Sequence, residues 1–464
     1  MLDKKLIKKV LEAALTTNAD FAEVFIEDKF STSASLLSNK VESVNNSIDF
    51  GVGVRVAKGF QTVYGYTNSQ KEEDLVKLAS DLAQSFPGEP LGITFELEEM
   101  KVGDAHTIKM LPSDVAIEDK TAVMKRANVA ARAYSDEISQ VAVRFQDYAQ
   151  KIWVANSEGT YVHDVRVRTR LAINSVAGKD GEMQSGFNGP GGHYGFEFYS
   201  DQIDVEAEAK EASRIAVTML HADECPSGKI PVVIDNGFGG VIFHEAVGHS
   251  LEASSVAKGA SVFTGMKGQK IASELITAID DGTIPNAWGS ATYDDEGNLQ
   301  KRRVLIKDGV LNSYMIDKLN AKRMDDECTN SGRRQSYKFA PTSRMTNTYI
   351  DNGESTFEEI IAATKYGLYA KKMGGGSVNP ATGDFNFAVG EGYIIRDGKI
   401  AEAVRGATLV GTGREALLGV DMVGNNLKTA QGMCGSSSGS IPTDVGQPTI
   451  RVSEMTVGGR KGAN

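Results

Sequence analysis

Near residue 222 the chain changes texture, and the change limits what it can fold into. Before it, helical stripes and alternating strands succeed one another; after it, glycine-rich β structure dominates. At 464 residues the chain exceeds one ordinary core, and typical domain sizes give roughly two or three. The expected fold is α+β and multi-domain. It has a two-part N-terminal α/β meander region over 1–221, with subunits at about 1–90 and 112–221, and a Gly-rich, β-dominated C-terminal domain over 222–464.

In the first region Leu6, Val10 and Leu15, flanked by Ile7, Leu11 and Ala14, give residues 3–17 a helical stripe. "FAEVFIED", "SIDFGVGVRVAKG" and "FQTVYGYTN" read as an antiparallel meander. Ser69 with Glu72 three residues on predicts a capping box opening a helix over 69–86. Its stripe is Leu75, Leu78, Ala79, Leu82 and Phe86, and Pro87 ends it. After a connector, a helix at 115–136, several strands and a helix at 202–220 repeat that outline. "VRVRTRL" places Arg166, Arg168 and Arg170 on one strand face, expected to be solvated or dimer-facing. "GVGVRVAKG" at 51–59 lacks both the third glycine and the following helix of a dinucleotide site.

Beyond 222, "KIPVVID" is a short strand leading to a helix over roughly 238–256. "VLIKDGVLNS" and "YIIRDGKI" place Asp-Gly between apolar flanks, the signal of a type I′ hairpin. A helix fits 355–371. "MGGGSVNPATGDFNF" and "QGMCGSSSGSIPTDVGQP" read as long Gly-rich loops, common places for binding sites.

A composition 41% hydrophobic and 24% charged is that of a folded, soluble protein, and a net charge of -11 argues against a nucleic-acid partner. No apolar run approaches the ~18 residues that span a bilayer, and the N-terminus has no signal-peptide apolar region. The three cysteines, Cys225, Cys328 and Cys434, are too few and odd for a disulfide framework. They suit a reducing compartment, so a cytoplasmic location is expected.

The chemistry concentrates in "GFGGVIFHEAVGHSLEA" at 237–253, where His244 and Glu245 are followed by His249. Neutral imidazoles bind zinc, and an adjacent carboxylate can take a proton from water. Histidines four apart on a helix differ by ~40° about its axis, whereas five apart differ by ~140°. A regular helix would therefore turn the two rings apart. A π-bulge absorbs one extra residue, and Gly248 is where the backbone could yield, so the spacing predicts a locally widened turn. A third ligand is needed; Glu252, three residues after His249, and Cys434 are equal candidates from the residues alone. His106, His163, His193 and His221 are scattered and receive no role.

Four ordered blocks resemble the TldD/PmbA family of metalloproteases, also described as modulators of DNA gyrase. They are "HEAVGHSLEA", "SGRRQSYKFAPTSRMTNTYI" at 331–350, "GGGSVNPATGDFNFAVGEGYIIRDGKI" at 374–400 and "MCGSSSGSIPTDVGQPTIRVSEMTVGG" at 433–459. The resemblance implies a Zn2+ site of His244, His249 and Cys434, with Glu245 as general base and Glu252 outside the ligand set. It implies a metallopeptidase of the TldD type, cleaving unfolded or extended peptides such as leader peptides of modified peptide antibiotics and unstructured antitoxins. Partners would be a second copy or a PmbA/TldE-type subunit. The family pattern often has lysine where this chain has Ser436, so no substrate role passes to that position. Arg333, Arg334 and Arg344 with Tyr337 form either a charged loop or groups that orient a peptide's carbonyls or C-terminus. The alternative function is a non-catalytic peptide-binding or partner-modulating subunit, a role the resemblance gives to members lacking HExxxH.

Overall fold

The computed structural model describes residues 2–103, 105–379 and 381–460. The N-terminal meander forms as expected, with longer strands: Phe21–Leu37, Lys40–Lys58 and Gln61–Thr67 pair antiparallel in sequence. The two expected subunits share one sheet, because Phe21–Leu37 also pairs with Ile138–Asn156, from Glu23 opposite Asn156 to Leu37 opposite Ala142. Ile138–Asn156 then pairs with Thr160–Lys179. Helices Lys4–Ala14 and Glu72–Ala83 bury Ile7, Leu11, Leu75 and Ala79 against Val24, Val52 and Val54. Helices Ile117–Arg132 and Val205–Leu220 bury Met124, Ala127, Ala209 and Ala212 against Val143, Phe145 and Leu171.

In the C-terminal half, five strands close on themselves: Tyr366–Val378, Gly228–Ile234, Ile450–Gly458, Thr408–Thr412 and Asp384–Arg396, the last pairing back to the first. A six-stranded sheet lies beside this ring, in the order Val310–Leu311, Arg302–Lys307, Ala278–Asp281, Asn347–Ile350, Gly439–Gln447 and Lys428–Ser436. The histidine segment shares one continuous core with both, Phe243, Ala246 and Val247 packing with Ile234, Ala370, Phe387 and Val445. Both Asp-Gly pairs adopt the expected left-handed turns, with φ of 48° and 79° at Asp308 and Gly309 and of 49° and 72° at Asp397 and Gly398.

Several local expectations are corrected. The Ser69 capping box is absent: the helix begins at Glu72, and Ser69 Oγ instead accepts from the Lys71 amide and donates to Asp74. The helix expected over 355–371 stops at Ala362, and a reciprocal box of Thr356 and Glu359 opens it. From Tyr366 the chain is strand, because Leu368 and Ala370 enter the ring's core while the backbone pairs on both edges. The two stretches read as long loops are largely hairpins, 366–378 with 384–396 and 428–436 with 439–447. Pairing between distant strands supplies hydrogen bonds that outweigh the local glycine signal.

The expectation of a solvated or dimer-facing arginine face is also corrected: Arg166 and Arg168 are buried within the chain itself. Arg166 pairs with Asp295 at 2.6 Å, and Arg168 donates to the carbonyls of Trp288 and Ser290 at 2.6 Å. These bonds fasten the N-terminal sheet to the C-terminal domain. Gly53 serves the same junction, since a Cβ there would stand 1.9 Å from the Tyr64 hydroxyl and 2.7 Å from the Tyr337 carbonyl.

Gly240, at the start of the histidine helix, has an ordinary helical φ of -60°, so its reason is space. An added Cβ would stand 2.4 Å from the Gly446 carbonyl oxygen. Gly240→Ala is expected to destabilise the protein by about 1–3 kcal/mol through overpacking, read as a lowered urea midpoint at unchanged slope.

Candidate metal centre

The strand Gly228–Ile234 delivers the chain to Asp235, whose carboxylate accepts from the hydroxyls of Tyr369 at 2.5 Å and Thr449 at 2.8 Å. Gly237, at φ 70°, then reverses the backbone into a 3-10 turn and the short helix Val241–Ala246. The continuous, π-widened helix expected over 238–256 does not form. The helix ends at Val247, with φ -125° and ψ -49°, and a second 3-10 turn, Gly248–Leu251, carries His249. This break rotates His249 back toward His244, leaving the ring centroids 5.2 Å apart at 83°. Gly248 matters through packing: a Cβ there would stand 2.5 Å from the Met345 sulfur.

Cys434 arrives from the strand Lys428–Ser436, opposite Ile441 in the hairpin. Its Sγ lies 3.3 Å from His249 Nε2, and candidate donor atoms of His244, His249 and Cys434 all lie within 4.8 Å of one another. Two imidazoles and a thiolate about one tetrahedral ion at ordinary zinc bond lengths stand roughly 3.4–3.6 Å apart, so the donor set fits such an ion. Thr348 Oγ1 lies 2.9 Å from His244 Nδ1. Glu252 Oε2 lies 3.3 Å from His249 Nδ1, behind the ring rather than among the converging donors. Glu245 Oε2 lies 3.6 Å from His249 Nε2, on the donor side, with its side chain 32% exposed.

Charge separates the three cysteines. Burial raises the Cys225 thiol to about 11, with Glu224 adding to it, and the Cys328 thiol to about 12, with Glu296 adding to it. At Cys434 burial opposes ionisation too, but His244 and His249 overcome it and hold the thiol well below its ordinary range. His249 is correspondingly held well above the ordinary imidazole range: burial opposes its charge, and Glu252 and Cys434 outweigh burial. A proton that sits on His249 must leave as an ion arrives, so metal affinity should rise with pH.

The sequence reading missed Thr348, which lies within the 331–350 block without standing out in it and is presented by Asn347–Ile350, the strand beside Gly439–Gln447. The arginines of the 331–350 block have separate surroundings. Arg344 is buried and donates to the Cys434 carbonyl at 2.5 Å and to Ser438 Oγ at 2.9 Å, so it braces the hairpin that carries Cys434. Arg334 is buried against Glu23 and the Asp295 carbonyl. Tyr337 is largely buried, its amide donating to Glu27. Arg333 donates to the carbonyls of Met345 and Pro442 and lines a cavity. Removing the outer carboxylate, as in Glu252→Gln, is expected to weaken metal binding by roughly 10–100-fold, measured by competition with a chelating dye.

This architecture, with its histidine, histidine and cysteine cluster, matches a metallopeptidase class. Family models for the PmbA/TldA metallopeptidase domain 1, central domain and C-terminal domain match residues 22–85, 111–220 and 227–459. The chain belongs to the TldD/PmbA family. It is 35% identical over 457 residues to the metalloprotease TldD homolog of Buchnera aphidicola from Acyrthosiphon pisum, covering 97% of this chain and 95% of that one. The metalloprotease TldD homolog of Haemophilus influenzae is 36% identical over 451 residues, covering 95% and 93%. A crystal structure of a protein described as a modulator of DNA gyrase, from Thermotoga maritima, superposes with a TM-score of 0.81 at 20% identity, covering 98% and 100%. TldE from Thermococcus kodakarensis superposes with a TM-score of 0.78 at 19% identity, covering 97% and 99%. Among the described residues no helix is long and apolar enough to cross a membrane.

Proposed function

We propose that the protein is a cytoplasmic, zinc-dependent peptidase that cleaves unfolded or extended peptides, with Glu245 as general base. The observation that supports this most is the convergence of donor atoms from His244, His249 and Cys434 within 4.8 Å, beside a partly exposed carboxylate. Zinc at this site would supply a Lewis acid for the scissile carbonyl and lower the pKa of a nearby water. Glu245 would take that water's proton and return it to the leaving amine. Thr348 and Glu252, on the far nitrogens of the two rings, fix their orientation.

Lys428–Ser436 is the last strand of its sheet, and an extended peptide added at such an edge gains backbone hydrogen bonds with little sequence preference. The protein would act as a homodimer or with a PmbA/TldE-type subunit, the partners that membership of the family suggests. Metal analysis beside cleavage of an unstructured peptide, with and without such a subunit, tests the reading. About one zinc per chain and cleavage abolished by a chelator are expected. Peptide binding without cleavage in either case would leave the non-catalytic subunit instead.

A further inference from the structure

Between the N-terminal sheet and the C-terminal domain lies a cavity of about 160 Å³ whose charge is one-sided. Lys29, Arg166, Arg168, Arg333 and Arg334 line it, and among the described residues no carboxylate does. Two of these cations are neutralised from behind: Arg166 by Asp295 and Asp164, Arg334 by Glu23. The other two guanidiniums rest on neutral oxygens. Arg168 donates to the Trp288 and Ser290 carbonyls and the Tyr148 hydroxyl, and Arg333 to the Met345 and Pro442 carbonyls.

Burying a cation that no carboxylate hydrogen-bonds is costly, even with the buried Asp444 acting on Arg168 from a distance. Burial pushes Arg333 down to about 9, and although Asp295 works against this, Arg168, Arg166 and Arg344 add to it. The mouth is formed by exposed Gln335, Met433 and Ser440 with half-buried Lys29, whose ammonium stands 4.3 Å over the Tyr148 ring. An engineered cavity of about 150 Å³ takes benzene, so a propionate-sized group can enter here. Planar guanidiniums match the geometry of a carboxylate. The position is also informative: Met433 immediately precedes Cys434 on one strand, so the cavity adjoins the hairpin face opposite the thiol.

We propose that this cavity is a subsite for a carboxylate of the peptide substrate, either an Asp or Glu side chain or the C-terminal carboxylate. The choice of a peptide as its bearer rests on the peptidase reading; the anion site does not. A peptide crossing the end strand beside Cys434 places an acidic group in the cavity and thereby sets which bond reaches the metal centre.

The test uses the full chain with Glu245→Gln, so that peptides bind uncleaved, and follows the fluorescence of Trp288, which lines the cavity. One peptide is compared in four forms: with a single Glu or with Gln at that position, each ending in a free carboxylate or an amide. The expected result is at least tenfold tighter binding of a carboxylate-bearing form than of its neutral counterpart, and the arm that shows it identifies the source. Lys29→Gln, which removes a mouth cation that makes no ion pair among the described residues, is expected to reduce the preference several-fold. Arg333→Met should abolish it where that variant folds. Equal binding of all four forms, or a preference untouched by Lys29→Gln, overturns the subsite. N-acetylglutamate separates the two readings. A saturable Trp288 response that depends on Lys29, with no peptide of any form bound, keeps the carboxylate site and removes the peptide as its bearer. Peptide cleavage by the unaltered chain with no response to N-acetylglutamate and no acidic preference does the reverse.

Discussion

Glu245→Gln is expected to keep its metal and lose roughly 10²–10⁴-fold in kcat/KM, the contribution of a positioned general base. The amide is nearly the same shape as the carboxylate but cannot accept the water's proton. The substitution is not expected to change the fold: Glu245 is part-exposed, and its carboxylate lies 3.6 Å from His249 Nε2. Metal content, measured beside peptide cleavage, separates the two roles. Unchanged cleavage would remove Glu245 as the base, whereas lost metal would show that it acts on the site's assembly.

Cys434→Ser is expected to empty the centre. A neutral hydroxyl replaces a thiol whose ionisation the two imidazoles favour against the cost of burial, and zinc favours thiolate strongly. Affinity should fall by more than the roughly 10–100-fold expected for an outer partner, and cleavage should fall with it. Undiminished metal in this variant would transfer the third ligand position to Glu252. The geometry argues otherwise, because Glu252 meets the rear nitrogen of His249 and lies 3.6 Å from Arg344 Nε. Free Cys225 and Cys328 serve as internal controls, since burial raises both thiols, and their serine variants should leave metal content unchanged.

Much of this was legible in the chain. The N-terminal meander, the stripes of Leu75 with Ala79 and of Ile7 with Leu11, and both Asp-Gly turns follow from local periodicity and turn chemistry, and the structure has them. His244, Glu245 and His249 stand out as candidates because the residue types and spacing coincide in one short segment, and the structure brings His244 and His249 together. The way the segment achieves convergence was not legible. One extra residue can be absorbed by widening a helix or by breaking it, and the break at Val247 lies where the chain packs with Met345 and Val445 in one core.

The sequence by itself therefore determined the residues able to do chemistry, the α+β class, and the turns whose backbone conformation is encoded within a few residues. Tertiary structure decided the rest. It brought Cys434 to His249 across 185 positions, turned apparent glycine-rich loops into hairpins, and buried Arg166 and Arg168, whose strand face the charge pattern gave as solvated or dimer-facing. The physical reason is the same in each case. Strand pairing and ion-pair burial gain their free energy from partners far away in the chain, and those partners leave no local signal.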